Sequence, residues 1–237
     1  MKVVGLGEDE APDGAPGVVV AIDGPAGSGK STVARRVAEL AGLRYLDTGA
    51  TYRALTLGLL RRGVPTDDPR AVADAAKSVD LTLELAPGDT GAARVLLDGV
   101  PVGPELRSSQ VNAAVSAVSA VPAVRELLVA RQRSLAGLGR MVVEGRDIGT
   151  VVWPGADVKV FLTASDSERA RRRGSDRGGG ESAEALARRD RLDSGRAASP
   201  TRPADDALVI DSTDRTVDEV VEEILRLVEA ARTRRPR

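Results

Sequence analysis

One stretch constrains this chain more than any other. Residues 18–22 form a continuous apolar run, Val-Val-Val-Ala-Ile, and lead straight into Asp23-Gly24-Pro25-Ala26-Gly27-Ser28-Gly29-Lys30-Ser31. Beyond it Val33, Val37, Leu40 and Ala41 recur at helical spacing until Gly42. A short apolar run without alternation reads as a strand buried on both faces, the setting of a parallel sheet. Strand, glycine-rich turn and helix therefore specify an α/β fold in which the turn lies at the carboxyl edge of the sheet. The spacing is G-x-x-x-x-G-K-[ST]. Its glycines let successive backbone N–H groups face one phosphate, and the helix that follows points its N-terminal dipole there. Lys30 would reach the β- and γ-phosphates and the Ser31 hydroxyl would ligate Mg²⁺. A glycine-rich turn without ligand is the plain alternative. With 25 Gly and only four Lys among 237 residues, chance supplies roughly 0.005 such matches. Gly24, Pro25, Ala26, Gly27, Ser28, Gly29, Lys30, Ser31 and Thr32 are accordingly expected to bind ATP.

The rest of the composition narrows the chemistry. There is no Cys and no His, which excludes disulfides, thiol nucleophiles, Ser-His-Asp hydrolysis and most catalytic zinc sites. A formal net charge of −1 argues against binding nucleic acid through a basic surface. No apolar run approaches the ~20 residues of a membrane span, and Glu8, Asp9, Glu10 and Pro12 interrupt any signal-peptide pattern. The expectation is a cytoplasmic protein without nucleic-acid or membrane partners. Thirty of the 34 basic residues are Arg, which matches both base composition and phosphate chemistry.

Residues 1–16 are poor in apolar residues and read as a flexible tail before a domain at 17–237. Residues 44–47 resemble a second strand and 50–60 a helix. Near residue 79 the pattern turns to period 2, with Leu81, Leu83 and Leu85, and residues 95–102 supply two short strands around Asp98-Gly99. This predicts a small antiparallel insert. Helical spacing returns over about 108–138. Strands follow at 141–143 and 158–162. Arg-rich helical segments at 165–173 and 182–192 flank Gly178-Gly179-Gly180, and a strand at 207–210 precedes a helix at 217–228.

Among P-loop proteins, a GTPase would show N-K-x-D and a motor ATPase an apolar strand ending in Asp-Glu; neither string occurs. A small kinase remains, and it needs positioning more than acid–base chemistry. Asp47-Thr48-Gly49-Ala50-Thr51-Tyr52-Arg53 follows the second strand at the ligand-binding edge. Thr48 could cap the helix, Arg53 could grip a second phosphate and Tyr52 could pack on a base or sugar. Glu144-Gly145-Arg146-Asp147-Ile148-Gly149-Thr150 follows the third strand at the same edge. Its carboxylates could equally be structural partners of arginines.

Together these strings resemble the bacterial cytidylate kinase family, which transfers the ATP γ-phosphoryl to CMP or dCMP. Its pattern runs I-D-G-P-x-G-x-G-K, L-D-[ST]-G-x-x-Y-R, G-R-D-x-G-T-V-V, R-D-x-x-D-S-x-R and A-D-D-A, matched in order at 22–30, 46–53, 145–152, 189–196 and 204–207. The resemblance implies that Thr48, Arg53, Arg125 and Arg146 hold the CMP phosphate. It implies that Ser116, Arg125 and Asp147 read cytosine, that Asp193 contacts the sugar, and that Arg189 and Arg196 reach the phosphates in transit. Lys30, Arg146, Arg189 and Arg196 would be catalytic. It further implies a nucleoside-monophosphate-binding region at about 49–138, a short lid at about 165–196 and a monomer. Rival readings are a kinase of UMP, dTMP or shikimate, and a P-loop regulator without transfer chemistry. The Gly-Arg-Asp-x-Gly turn and inserted strands argue against the first, the doubled set of arginines against the second.

Overall fold

A computed structural model of the chain describes residues 3–4, 17–85, 91–174, 183–196 and 199–234. Its centre is a six-stranded sheet in the order β10-β9-β2-β8-β3-β5. The strands are β2 (Val19–Asp23), β3 (Arg44–Asp47), β5 (Gly91–Ala92), β8 (Met141–Glu144), β9 (Val158–Thr163) and β10 (Leu208–Asp211), and all are paired in parallel. β2, which carries the phosphate loop, lies between β8 and β9, so both neighbours deliver their carboxyl ends beside that loop.

Period-2 alternation in these strands divides the core into two layers. Val20, Ile22, Val142, Val160 and Leu162 face α1 (Lys30–Ala41) and α8 (Val217–Arg234), where Val33, Val37, Val220, Ile224 and Val228 cover them. Val19, Ala21, Leu46, Met141 and Val143 face the opposite layer, built by α2 (Thr48–Arg61), α4 (Ser109–Ala120) and α5 (Pro122–Ala136). α1 ends where the sequence indicates, with Gly42 as a left-handed cap at φ 63.

The antiparallel insert is present as β4 (Leu81–Glu84), β6 (Arg94–Leu97) and β7 (Val100–Pro101). Asp98 and Gly99, at φ 53 and 77, make the turn between the last two. Its apolar face, Leu81, Leu83, Val95 and Leu97, is continuous with the α2–α4–α5 side of the core. The insert thus shares its core with the main sheet.

Some boundaries differ from the sequence reading. The helical stretch at 108–138 is two helices, because Pro122 holds Val121 extended at ψ 122 and α4 and α5 meet at a 93° bend. α3 (Pro69–Ala76), capped by Asp68, is a further helix, of only eight residues, that the sequence reading does not include. Within the expected tail, β1 (Val3–Val4) pairs in parallel with Leu83 and Glu84; the other residues of 1–16 lie outside the described ones. α6 (Asp166–Gly174) and α7 (Ala183–Ser194) match the Arg-rich segments, and Gly178-Gly179-Gly180 lies outside the described residues. Among the described residues no single helix is long and apolar enough to cross a membrane.

Candidate active site

The phosphate loop is anchored at its first residue. β2 ends in Asp23, whose carboxylate accepts N–H bonds from Ile148 at 2.7 Å and Gly149 at 2.8 Å. Burial pushes the Asp23 pKa up to about 6 against these bonds. The turn after β8 is thereby tied to the start of the loop. Gly24 stands at φ 146 with its Cα against the Leu162 carbonyl, where a Cβ would collide with backbone. Gly29, at φ 88, begins α1. Lys30 folds back onto its own loop, donating to the Pro25 carbonyl at 2.6 Å and the Ser28 hydroxyl at 3.4 Å. Burial first, and then the Arg146 guanidinium, lowers the Lys30 pKa to about 7.

Gly27 to Thr32 line a cavity of about 1240 Å³. Gly24, Pro25 and Ala26 do not; they shape the loop from behind. The Gly24 carbonyl accepts from Arg146 at 2.9 Å, and both backbone polar atoms of Ala26 are taken by Arg169 and Asp190. Beyond the loop the cavity continues past Arg172, Ser212 and Thr213. Arg172 donates to the Ser212 hydroxyl, which in turn donates to the Ser28 carbonyl at 3.2 Å.

The same cavity holds the second set of expected residues: Thr48, Tyr52, Arg53, Ser116, Arg125, Arg146, Asp147, Asp193 and Arg196. Thr48 is not the helix cap. Asp47 is, accepting from Ala50 N–H at 2.9 Å, and the Thr48 hydroxyl instead donates to the Glu144 carbonyl at 2.7 Å, which joins the ends of β3 and β8. Arg53 is aimed by the Asn112 side chain at 2.6 Å and the Leu106 carbonyl at 3.1 Å. Arg125 and Asp147 form a buried ion pair. Burial pushes the Asp147 pKa up, and Arg125 and the Ser199 hydroxyl oppose that shift. The Tyr52 ring lies 5.8 Å from the Arg125 guanidinium carbon, and its buried hydroxyl has no hydrogen-bond partner among the described residues. Asp193 collects Arg196, Arg146 at 3.3 Å and the Ser116 hydroxyl at 3.5 Å, and Arg196 also donates to Ser119 at 2.7 Å. Arg189 lies in α7, and its side chain is outside the described residues.

Glu144 was weighed in the sequence only as a structural partner of arginine. It stands instead at the meeting of both halves. It takes a short hydrogen bond from the Tyr45 hydroxyl, and burial followed by the Asp47 charge pushes its pKa up, while Lys30 and a Ser31 hydrogen bond act the other way. Burial and the Glu144 carboxylate likewise push Tyr45 far up. Ser199, Asp190, Arg169 and Ser212 were also missed, since each acts through a partner far away in the chain. The arrangement can hold two polyanions end to end, one on backbone N–H groups and Lys30, the other among arginines.

The family model described as cytidylate kinase matches residues 20–230. A cytidylate kinase of Rhodococcus opacus (strain B4) is 53% identical over 219 residues, covering 89% of this chain and 94% of that protein. Those of Nocardia farcinica (52% over 219 residues, 89% and 93%) and Symbiobacterium thermophilum (50% over 221 residues, 90% and 97%) are similar to nearly the same extent.

Proposed function

The chain belongs to the cytidylate kinase family, and from that membership we propose how its residues divide the work of the reaction. The protein is a kinase that moves the γ-phosphoryl group of ATP to CMP or dCMP, giving CDP or dCDP. The observation that supports the residue assignment most is that the phosphate loop and the Arg125–Asp147 pair face one cavity. ATP lies on Gly27 to Thr32. The acceptor phosphate lies among Thr48, Arg53, Arg125 and Arg146, cytosine against Ser116, Arg125 and Asp147, and the sugar near Asp193 and Tyr52.

An acceptor phosphate oxygen is already anionic at neutral pH, so no base has to deprotonate it. It attacks the γ-phosphorus as the bond to the β,γ-bridging oxygen breaks. Lys30, Arg146, Arg189 and Arg196 neutralise charge on the group in transit, and fixed geometry supplies much of the remaining catalysis. The donor set around Ser31, a hydroxyl with the Glu144 and Asp47 carboxylates nearby, is all hard oxygen and suits Mg²⁺. Ser31 would hold the ion, with Glu144 oriented by Tyr45 behind it. Held there with ATP, Mg²⁺ would supply neutralisation of phosphate charge. The region at 49–138 serves as the acceptor domain and 165–196 as the lid. The enzyme is proposed to act as a cytoplasmic monomer, with no nucleic-acid or membrane partner.

The test is a coupled assay with ATP and Mg²⁺ against CMP, dCMP, UMP, AMP, dTMP and shikimate. Turnover confined to CMP and dCMP is expected. Preference for any other acceptor would refute the assignment of Ser116, Arg125 and Asp147 to cytosine.

A further inference from the structure

The string Arg189-Asp190-Arg191-Leu192-Asp193-Ser194-Gly195-Arg196 contains one carboxylate to which the family resemblance gives no role, Asp190. In the structure it reaches the back of the phosphate loop and also faces Arg146, whose Nη1 stands 4.0 Å from its Oδ1. Its Oδ1 accepts the Ala26 N–H at 3.3 Å. Its Oδ2 pairs with the guanidinium of Arg169, and the same Arg169 Nη1 donates to the Ala26 carbonyl at 3.1 Å. Three residues thus close a ring, Ala26 to Asp190 to Arg169 and back to Ala26. They come from the loop, from α7 and from α6.

Arg169 is held hard in this position. It is 8% exposed, its Nε donates to the Ala164 carbonyl at 3.2 Å and its Nη2 to Asp166 at 2.5 Å. Its backbone presses on the loop as well, since a Cβ on Gly27 would stand 2.7 Å from the Arg169 carbonyl oxygen. A guanidinium bound in this way to two carbonyls and two carboxylates is fixed in direction, and a partly desolvated charge pair of this kind is stronger than one at the surface. The loop itself resists displacement weakly, because Gly24, Gly27 and Gly29 permit many backbone conformations. Something outside it must select the one in which the N–H groups after Ala26 face the donor phosphates.

We propose that Asp190 and Arg169 are positioning residues for ATP: a charged clamp on both backbone polar atoms of Ala26 that fixes the phosphate loop and fastens it to α6 and α7, the two helices of the lid. Arg169, by its contacts, belongs to the loop side, whereas Asp190 also stands 4.0 Å from Arg146 across an ion pair. The clamp acts through the loop, so loss of Arg169, which keeps the Asp190–Arg146 pair, should appear in donor binding and leave acceptor binding alone. The proposal rests on ATP being the donor that the family membership gives.

The experiment measures ATP affinity by calorimetry, the Michaelis constant for CMP at saturating ATP, and Tm, for wild type, D190A, R169A, D190A/R169A, D190N and R169K. Each alanine variant should weaken ATP binding about tenfold or more, with the double variant no weaker than the worse single one, because residues of one closed network are not additive. In R169A and R169K, which keep the Asp190–Arg146 pair, the Michaelis constant for CMP should stay within about twofold of wild type, a split that general loosening of the fold would not give. D190N keeps an acceptor for Ala26 N–H and should recover part of the loss. R169K keeps charge without the fork and should recover little. Should the alanine variants fail to fold, D190N and R169K carry the same comparison at nearly constant volume. Equal rises for ATP and CMP in the Arg169 variants, additive losses in the double variant, or wild-type ATP affinity in R169K would each overturn the clamp. Wild-type turnover of CMP, measured alongside, tests the family reading separately: its absence together with the ATP pattern above would refute the acceptor assignment and support the clamp.

Discussion

Lys30 connects the geometry of the phosphate loop to a number that can be measured. In the free protein burial, reinforced by Arg146, lowers its pKa to about 7. A bound triphosphate brings several negative charges to the same ammonium and restores it toward the ordinary lysine value of ~10.4. The bound state therefore holds more protons than the free state at any pH between the two values. The sign follows by linkage: the contribution of Lys30 to ATP affinity is fully present below about pH 7 and is lost as pH rises above it. At about pH 8.5 a group titrating near 7 is almost wholly deprotonated, so ATP binding should take up close to one proton. The terminal phosphate of ATP is already ionised there and contributes little. Calorimetry of Mg·ATP binding in two buffers of different ionisation enthalpy reads this uptake directly. In K30R, where the guanidinium stays charged, uptake should fall to about zero. The wild-type Kd should rise about tenfold per pH unit between about 7.5 and 9.5. An uptake below about 0.2 proton, or the same uptake in K30R, would refute the reasoning.

Lys30→Ala should cut turnover by at least ~10²-fold, the effect of losing one preorganised charge contact, while Tm stays close to wild type. Asp147→Ala leaves the Arg125 charge buried and unpaired and should raise the Michaelis constant for CMP by ~5- to 150-fold, the equivalent of ~1–3 kcal/mol; a matching rise for ATP would place Asp147 in the shared core instead. Arg196→Ala should reduce turnover sharply, and amide exchange over 183–196 should slow in wild type when a bisubstrate analogue binds. Exchange indifferent to the analogue, with full activity in the variant, would remove this helix from the lid. Gly24→Ala drives a Cβ into the Leu162 carbonyl at a positive φ and should destabilise the fold by ~2 kcal/mol or more in urea unfolding.

The sequence alone determined whatever depends on neighbours a few residues apart. The strand, the glycine loop and the helix after it, the hairpin turn at Asp98-Gly99 and the left-handed cap at Gly42 are local solutions to local steric problems, and each stands where the pattern puts it. The order of strings also carried the family, because the chain delivers each string to the same sheet edge. The tertiary structure decided the pairings that depend on strand order. Asp23 meets Ile148 across 125 residues, Tyr45 meets Glu144 across 99 and Ala26 meets Asp190 across 164. No periodicity encodes those meetings. They exist because β8 and β9 flank β2, and because α6 and α7 leave the sheet beside the loop. Burial there gives Lys30, Asp23 and Glu144 their altered proton affinities. Sequence fixes which groups a chain owns; desolvation and cross-chain contact, which only the folded state creates, set what those groups do.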